Sequence, residues 1–263
     1  MRFLITLSAV SGSAIPINYQ YPLSAAIYKI ISKGNMAYGE FLHEHGYGRG
    51  FKFFTFSDLR GKFSLEEDRL ILQEQDLRLT VCFHLPDAAQ HFIKGLFQSE
   101  LVDIADRRSK VRFQVRSIEA LPDMLIGRKE QEIISIDLKP LSAVVAGLKN
   151  EKGYYNYLSP QDSAFADSLI YNWREKIRAN YDDGTADQAL LMIRVFPLDE
   201  PFKSRLITIK ADTDAQTRVR GWRHFGLNVT AEKRFLSILL NCGAGLYNAQ
   251  GCGCVGVGFS KER

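Results

Sequence analysis

Apolar and polar residues alternate from the first positions of the chain, with Phe3, Ile5 and Leu7 on one side of a period of two and Arg2, Leu4 and Thr6 on the other. That spacing predicts a strand. A basic residue ahead of an apolar run can imitate a secretory signal, but Thr6 and Ser8 interrupt the run early, so the strand is the reading adopted. Over residues 20–33 the period lengthens. Leu23, Ile27, Ile30 and Ile31 recur at helical spacing behind Pro22 in the first turn. A short second helix follows, with Asn35 as its N-cap, Tyr38, Phe41 and Leu42 as apolar positions and Gly46 at its stop. Phe51 to Ser57 is aromatic and strand-like. Strands fit 69–73 and 77–83, a helix fits 86–97 with Pro86 in its first turn, and a strand fits Val111 to Ser117. The order is β-α-β-β-α-β.

Residues 119–130 carry Pro122, Gly127 and several charges, the composition of a linker. A second series then begins: strand 133–147, helix 160–180, strand 188–196, strands within 204–210 and 217–229, helix 231–241 and a last strand over 253–260. This is β-α-β-β-α-β again. The expected fold is therefore α+β, two ferredoxin-like domains in tandem with antiparallel sheets, occupying residues 1–125 and 126–263.

Composition narrows the classes further. The chain has 263 residues, 46% of them hydrophobic and 24% charged, values of an ordinary globular protein and not of a disordered or fibrous one. No stretch approaches the ~18 apolar residues of a membrane helix, so no membrane partner is expected. Lys and Arg exceed Asp and Glu by 34 to 30, and a diffuse charge of +4 fades within ~8–10 Å. An anionic partner would have to meet a local concentration. Arg107, Arg108, Lys110, Arg112 and Arg116 form one, with Lys110, Arg112, Gln114 and Arg116 alternating onto one strand face; RNA phosphates and plain solvent both suit it. Arg218, Arg220 and Arg223 surround Trp222, an aromatic better suited to core packing than to base stacking. Cys82, Cys242, Cys252 and Cys254 are too few for a disulfide scaffold, and the CxC pair lacks two further zinc ligands. Buried thiols in a reducing, cytoplasmic compartment fit them, with no metal and no cofactor.

Chemistry-bearing residues concentrate in two places. Residues 251–256 satisfy GxGxxG, but that fingerprint must join a strand to a following helix, whereas this run joins an apolar helix to a strand. Gly243, Gly245, Gly251 and Gly253 instead describe a connection whose exposed backbone amides would suit phosphate or RNA; a tight turn needing positive φ explains it equally well. At the other place, Tyr28 lies about 100° round from the Leu23–Ile27 stripe, which points it off the core. His45 shares the face of Phe41 and Leu42 and reads as the packing histidine. His43 projects away from it, in the last turn, where the helix dipole favours the imidazolium. Gly46, Gly48 and Gly50 let the chain bend back so that Lys52 approaches the same space. A tyrosine, a histidine and a lysine suit RNA cleavage without metal, in which the RNA's own 2′-hydroxyl attacks the adjacent phosphate. A solvated surface histidine is the competing reading.

Five segments in order, Met-Arg-Phe-Leu-Ile at 1–5, Ile27-Tyr28-Lys29, Leu42-His43-Glu44, Phe51-Lys52-Phe53-Phe54-Thr55-Phe56-Ser57 and the GxGxxxxxGxG of 243–253, resemble the Cas6 family of CRISPR-associated endoribonucleases. The resemblance implies tandem ferredoxin-like domains and cleavage of precursor CRISPR RNA within its repeats, without metal, leaving a 2′,3′-cyclic phosphate and a 5′-hydroxyl. It makes His43 the general acid or base, Tyr28 the proton acceptor or positioner, and Lys52 the cation that stabilises the phosphorane, with the glycine loop holding RNA. Repeat RNA, and other CRISPR-associated proteins of an RNA-guided complex, are the implied partners. A non-catalytic RNA-binding protein of the same fold is the alternative.

Overall fold

The structure, a computed structural model, describes residues 1–198, 201–211 and 213–258. Its first half runs β1 (Arg2–Ser11), β2 (Ala14–Pro16), α1 (Gln20–Gly34), α2 (Met36–Glu44), β3 (Phe54–Phe56), β4 (Phe63–Glu66), β5 (Arg69–Leu72), β6 (Asp76–Phe83), α3 (Pro86–Gln98), β7 (Leu101–Ala105) and β8 (Lys110–Ala120). The second runs β9 (Ile133–Pro140), β10 (Ala146–Lys149), β11 (Tyr155–Leu158), α4 (Ala164–Asn180), α5 (Asp183–Gln188), β12 (Leu191–Pro197), β13 (Lys203–Ile209), β14 (Thr217–Arg223), β15 (Phe225–Glu232), α6 (Lys233–Cys242), a single 3-10 turn (Asn248–Gln250) and β16 (Val255–Val257).

Each half is built on one antiparallel sheet. The orders are β3-β6-β1-β8-β7 and β12-β15-β9-β16. With β1, β3, β6 and β8 taken as strands one to four of the first half, and β9, β12, β15 and β16 of the second, both sheets have the order 2-3-1-4 of a ferredoxin-like domain, with β7 added at one edge. Ile5 and Leu7 of β1 and Leu77, Leu79 and Val81 of β6 pack under Leu23, Ile27, Ile30 and Ile31 of α1 and Phe92 and Leu96 of α3. A separate core gathers Phe165, Leu169, Trp173 and Ile177 of α4 with Phe235, Leu236 and Leu239 of α6 over β15. Among the described residues, no helix is long and apolar enough to cross a membrane.

Several boundaries differ from the sequence pattern for local reasons. The predicted strand 133–147 stops at Pro140, which pairs with Val255 at the end of β9, and the chain then leaves the sheet to start β10 at Ala146. The predicted strand 217–229 is two strands that serve different sheets, β14 pairing with β13 and β15 with β12 and β9. The break falls at His224, whose φ of +62° turns the chain. Of the aromatic run 51–57 only Phe54–Phe56 joins the ladder, because Phe53 sits at φ +50°. The last strand is Val255–Val257, and positions 259–260 of its predicted span lie outside the described residues. Short strands β2, β4, β7, β10 and β11 had no periodic signal long enough to register.

The halves are tied together by buried polar contacts. Arg2 donates to the Val255 carbonyl and, from Nε, to Cys82 Sγ at 3.3 Å, beside a 4.0 Å approach of Cys82 and Cys254 Sγ. Thr55 Oγ1 donates to the Cys252 carbonyl at 3.0 Å, and Ser24 Oγ to the Ala249 carbonyl at 2.6 Å. All four cysteines are free and buried.

Candidate active site

The sequence dictates how the first-half residues meet. Asn35 caps α2 by accepting from the Tyr38 amide at 3.0 Å, and Gly46, at φ +71°, ends it by donating to the Phe41 carbonyl at 2.9 Å. Tyr47 and Phe51 then exchange backbone hydrogen bonds at 2.8 Å, closing a tight return that brings Lys52 under the end of the helix. Lys52 Nζ donates to the His43 carbonyl at 3.0 Å. The imidazole of His43 is exposed, and its ring lies 5.2 Å from that of Tyr28, edge to face. Tyr28, His43 and Lys52 therefore share one place.

Two expectations about this cluster need correction. Tyr28 does not point off the core: it is 9% exposed, packed edge-on against Phe54 at 5.3 Å. A second side of α1 is covered as well, by Phe54 and His43 at Tyr28 and by Ala249 of the second half at Ser24. His45 is not a packing histidine. It is the C-cap residue, its side chain is 74% exposed, and Phe41 on the same face is itself exposed, leaving Leu42 as the buried apolar position of α2.

Burial pushes the Tyr28 phenol well above its ordinary pKa, so at neutral pH it is an uncharged hydrogen-bond donor and not a ready proton acceptor. Burial also lowers the Lys52 ammonium.

The second half supplies the opposite wall. An open cleft of about 400 Å³ is bounded by Tyr28 and Lys52 on one side and by Lys176, Tyr247 and Gln250 on the other. The loop between α6 and β16 forms that wall, and its four glycines at 243, 245, 251 and 253 all have positive φ, between +72° and +88°. A side chain on Gly251 would strike the Phe56 ring, and one on Gly253 the Ala244 carbonyl. The expectation that these glycines expose their amides is not met. All four are buried, and the Gly243, Gly251 and Gly253 amides are bonded to the Leu239, Asn248 and Ala143 carbonyls. They shape the loop, and what it shows to the cleft is Gly245 to Gln250.

Sequence reasoning missed the group that holds this loop. Lys176 of α4 is 1% exposed, and its ammonium donates to the Gly243 carbonyl at 2.6 Å, the Gly245 carbonyl at 3.2 Å and Asn248 Oδ1 at 2.6 Å. Asn248 Nδ2 in turn donates to the Ala244 and Cys252 carbonyls at 3.2 and 3.0 Å. Burial lowers the Lys176 pKa to about 8, and Cys242 beside it opposes the shift. Arg49 was also missed. From the return after α2 it reaches α4 of the other half, pairing with Glu175 at 2.7 Å and donating to Tyr171 Oη at 3.0 Å.

The basic run of the first half lies elsewhere. Lys110 and Arg112 do alternate on the outer face of β8, but both pair with Asp103 of β7, at 2.7 and 2.8 Å, holding that carboxyl well below the usual range through Arg112 first. Arg108 pairs with Asp68 at 2.7 Å. Arg116 is exposed, and Arg107 lines a different groove with Tyr21, Lys210 and Arg218. Trp222 is half-buried against the second core. Among the described residues, no three His, Cys, Asp or Glu side chains converge as a metal set would require.

Two ferredoxin-like sheets that share one cleft, with ionisable side chains from one half facing a shaped loop from the other, define the class: a tandem ferredoxin-like protein with an open cleft at the seam of its halves. Residues 128–257 match the family described as CRISPR associated protein Cas6, C-terminal, and residues 14–119 the family described as CRISPR-associated protein Cas6, N-terminal. The chain is 31% identical over 185 residues to CRISPR-associated endoribonuclease Cas6 1 of Methanocaldococcus jannaschii, spanning 70% of this chain and 68% of that one. It belongs to the Cas6 family. Among solved structures, a Cas6-related protein from Pyrococcus furiosus superposes with a TM-score of 0.78 at 20% identity over 99% of each chain. A CRISPR associated protein Cas6 gives 0.70 at 24% identity over 98% of this chain and 99% of that one.

Proposed function

We propose that the protein is an endoribonuclease that cuts precursor CRISPR RNA within its repeats, without metal, at the seam between its two halves. The observation that carries this reading is the meeting of Tyr28 and Lys52, which line the cleft walled by the 243–253 loop, with an exposed His43 whose ring lies edge-on to Tyr28 and whose carbonyl holds Lys52. Family membership and the name of the Methanocaldococcus jannaschii relative support it. In the reaction proposed, the 2′-oxygen bonds to the adjacent phosphorus as the P–O5′ bond breaks. The 2′-proton leaves to a base and the 5′-oxygen gains one from an acid, giving a 2′,3′-cyclic phosphate and a 5′-hydroxyl. His43 is the proton-transferring group, Lys52 stabilises the charge that builds on the phosphorane, and neutral Tyr28 orients the ribose.

Repeat RNA should be cut in the presence of EDTA, and a 2′-deoxy nucleotide immediately before the cut should abolish cleavage. His45→Ala should cut at the wild-type rate. RNA that is bound yet left intact under every condition would leave only the non-catalytic reading. Tyr28→Phe should slow single-turnover cleavage by no more than about tenfold, the worth of one neutral hydrogen bond. A loss as large as that of removing His43 would make the phenol itself the proton acceptor.

A further inference from the structure

Three tyrosines continue the cleft wall outward. Tyr155 and Tyr157 stand two residues apart on one face of β11, their rings 6.3 Å apart and 20° from parallel. Tyr247, from the loop, closes on both: its hydroxyl is 3.2 Å from that of Tyr157, and its ring meets Tyr155 edge-on at 6.4 Å. Gly147 of β10 lies opposite Tyr157 in the ladder, and a side chain there would press on the Asn156 carbonyl and the Tyr155 ring. Lys149, opposite Tyr155, holds its ammonium 5.6 Å from the centre of that ring.

Core packing accounts for only part of this arrangement. Tyr157 and Tyr247 rest on the small apolar cluster of Val145, Ile207, Val219 and their neighbours. Tyr155 is the outer ring. Half-buried, it rests on the other two tyrosines and, among the described residues, belongs to none of the three apolar clusters. Tyr247 adopts φ +59°, a left-handed backbone that is costly for an aromatic residue and persists only where its surroundings impose it. Its carbonyl accepts from the Gln250 amide at 3.0 Å, and its neighbours are fixed by Lys176. Burial raises the Tyr157 and Tyr247 phenols, which keeps them uncharged. A neutral aromatic cluster with one cation at its rim, continuous with a cleft that would hold a phosphodiester, has the chemistry that receives an unstacked base.

We infer that Tyr155, Tyr157 and Tyr247 form a stacking platform for an unpaired base flanking the cut, so that the RNA is single-stranded there. The inference rests on the nuclease reading for its location, but its test is a binding measurement. Repeat RNA made uncleavable by a 2′-deoxy nucleotide at the junction is substituted with 2-aminopurine at successive positions, and fluorescence is followed on binding. Wild-type protein should quench one position beside the junction, Tyr155→Phe should quench it equally, and Tyr155→Ala and Tyr155→Leu should not. The dissociation constant should rise about 5- to 150-fold in Tyr155→Ala, the worth of one stacked base. Base-pairing the flanking nucleotides with a complementary strand should weaken wild-type binding by a similar factor. Quenching that survives in both Tyr155→Ala and Tyr155→Leu, or no position-specific quenching in a wild type that cuts, overturns the platform. Quenching as expected in a protein that never cuts leaves the platform standing and overturns the nuclease.

Discussion

With His43 replaced by alanine, repeat RNA should remain bound and stay whole. The imidazole is exposed, and its ring contact is the edge-on approach to Tyr28, so its loss leaves no cavity and no buried polar group. Melting temperature and RNA affinity should therefore stay close to wild type. The rate should not. General acid–base transfer contributes ~10²–10⁴-fold, and no neighbour in the cleft can take over: Tyr28 is held neutral by burial, and Lys52 is engaged with the carbonyl of residue 43 itself. Single-turnover cleavage with matched binding curves checks both halves of this expectation. If His43→Ala cuts at the wild-type rate while His45→Ala does not, the roles of the two histidines are reversed and the proposed site is wrong.

Lys176→Met should damage the molecule in a different way. Methionine has nearly the length of lysine but no donor, so the carbonyls of Gly243 and Gly245 and the Asn248 oxygen would each lose a partner inside the protein. Buried acceptors without donors cost ~1–3 kcal/mol each. Removing the desolvated ammonium returns part of this, leaving a net loss of about 2–3 kcal/mol and a melting point lower by roughly 5–10 °C. RNA affinity should fall with it, because Leu246–Gln250 would no longer be presented in one shape. A pH signature separates this clamp from ordinary packing. The folded chain releases the Lys176 proton at about pH 8, whereas an unfolded chain keeps it to ~10.4. Between those values the unfolded state binds more protons, so this residue makes stability rise with pH, by up to about 1.4 kcal/mol per unit. The neighbouring Cys242 thiol, pushed up to about 12, keeps its proton in the folded chain while an unfolded chain releases it at ~8.5, so it opposes that rise in wild type and variant alike. Because the buried thiols of Cys242, Cys252 and Cys254 pull the other way in both proteins, the readout is the difference: denaturant unfolding from pH 7 to 10 should show stability of wild type gaining on that of Lys176→Met as pH rises. Equal slopes and equal melting points would remove the clamp from the account.

What was legible in the sequence was whatever depends on one element and its own face. Asn35 as a cap, Gly46 as a stop and the glycine-assisted return of Lys52 are local geometry, and the structure has all three. The paired β-α-β-β-α-β order followed from periodicity and reappears as two sheets of the same strand order. Tyr28 was misplaced because Phe54 of β3 and His43 of α2 pack against its ring, and a helical wheel of α1 contains neither. Lys176 was invisible for the same reason: within α4 it is one charge among several, and only the packing of α4 against the 243–253 loop makes it the donor to that loop. The glycines were noticed for their amides, but an amide inside a protein is seldom left free, and three of these four are bonded to the Leu239, Asn248 and Ala143 carbonyls.

The hydroxyls of Ser24 and Thr55, each fastened to a carbonyl of the loop across the seam, have a mechanical consequence. They act as pins through a joint: the two walls cannot part without breaking both. On the proposed reading, an RNA strand would then have to bend its own backbone to seat itself, and a stiff, regularly wound duplex would fit the opening poorly.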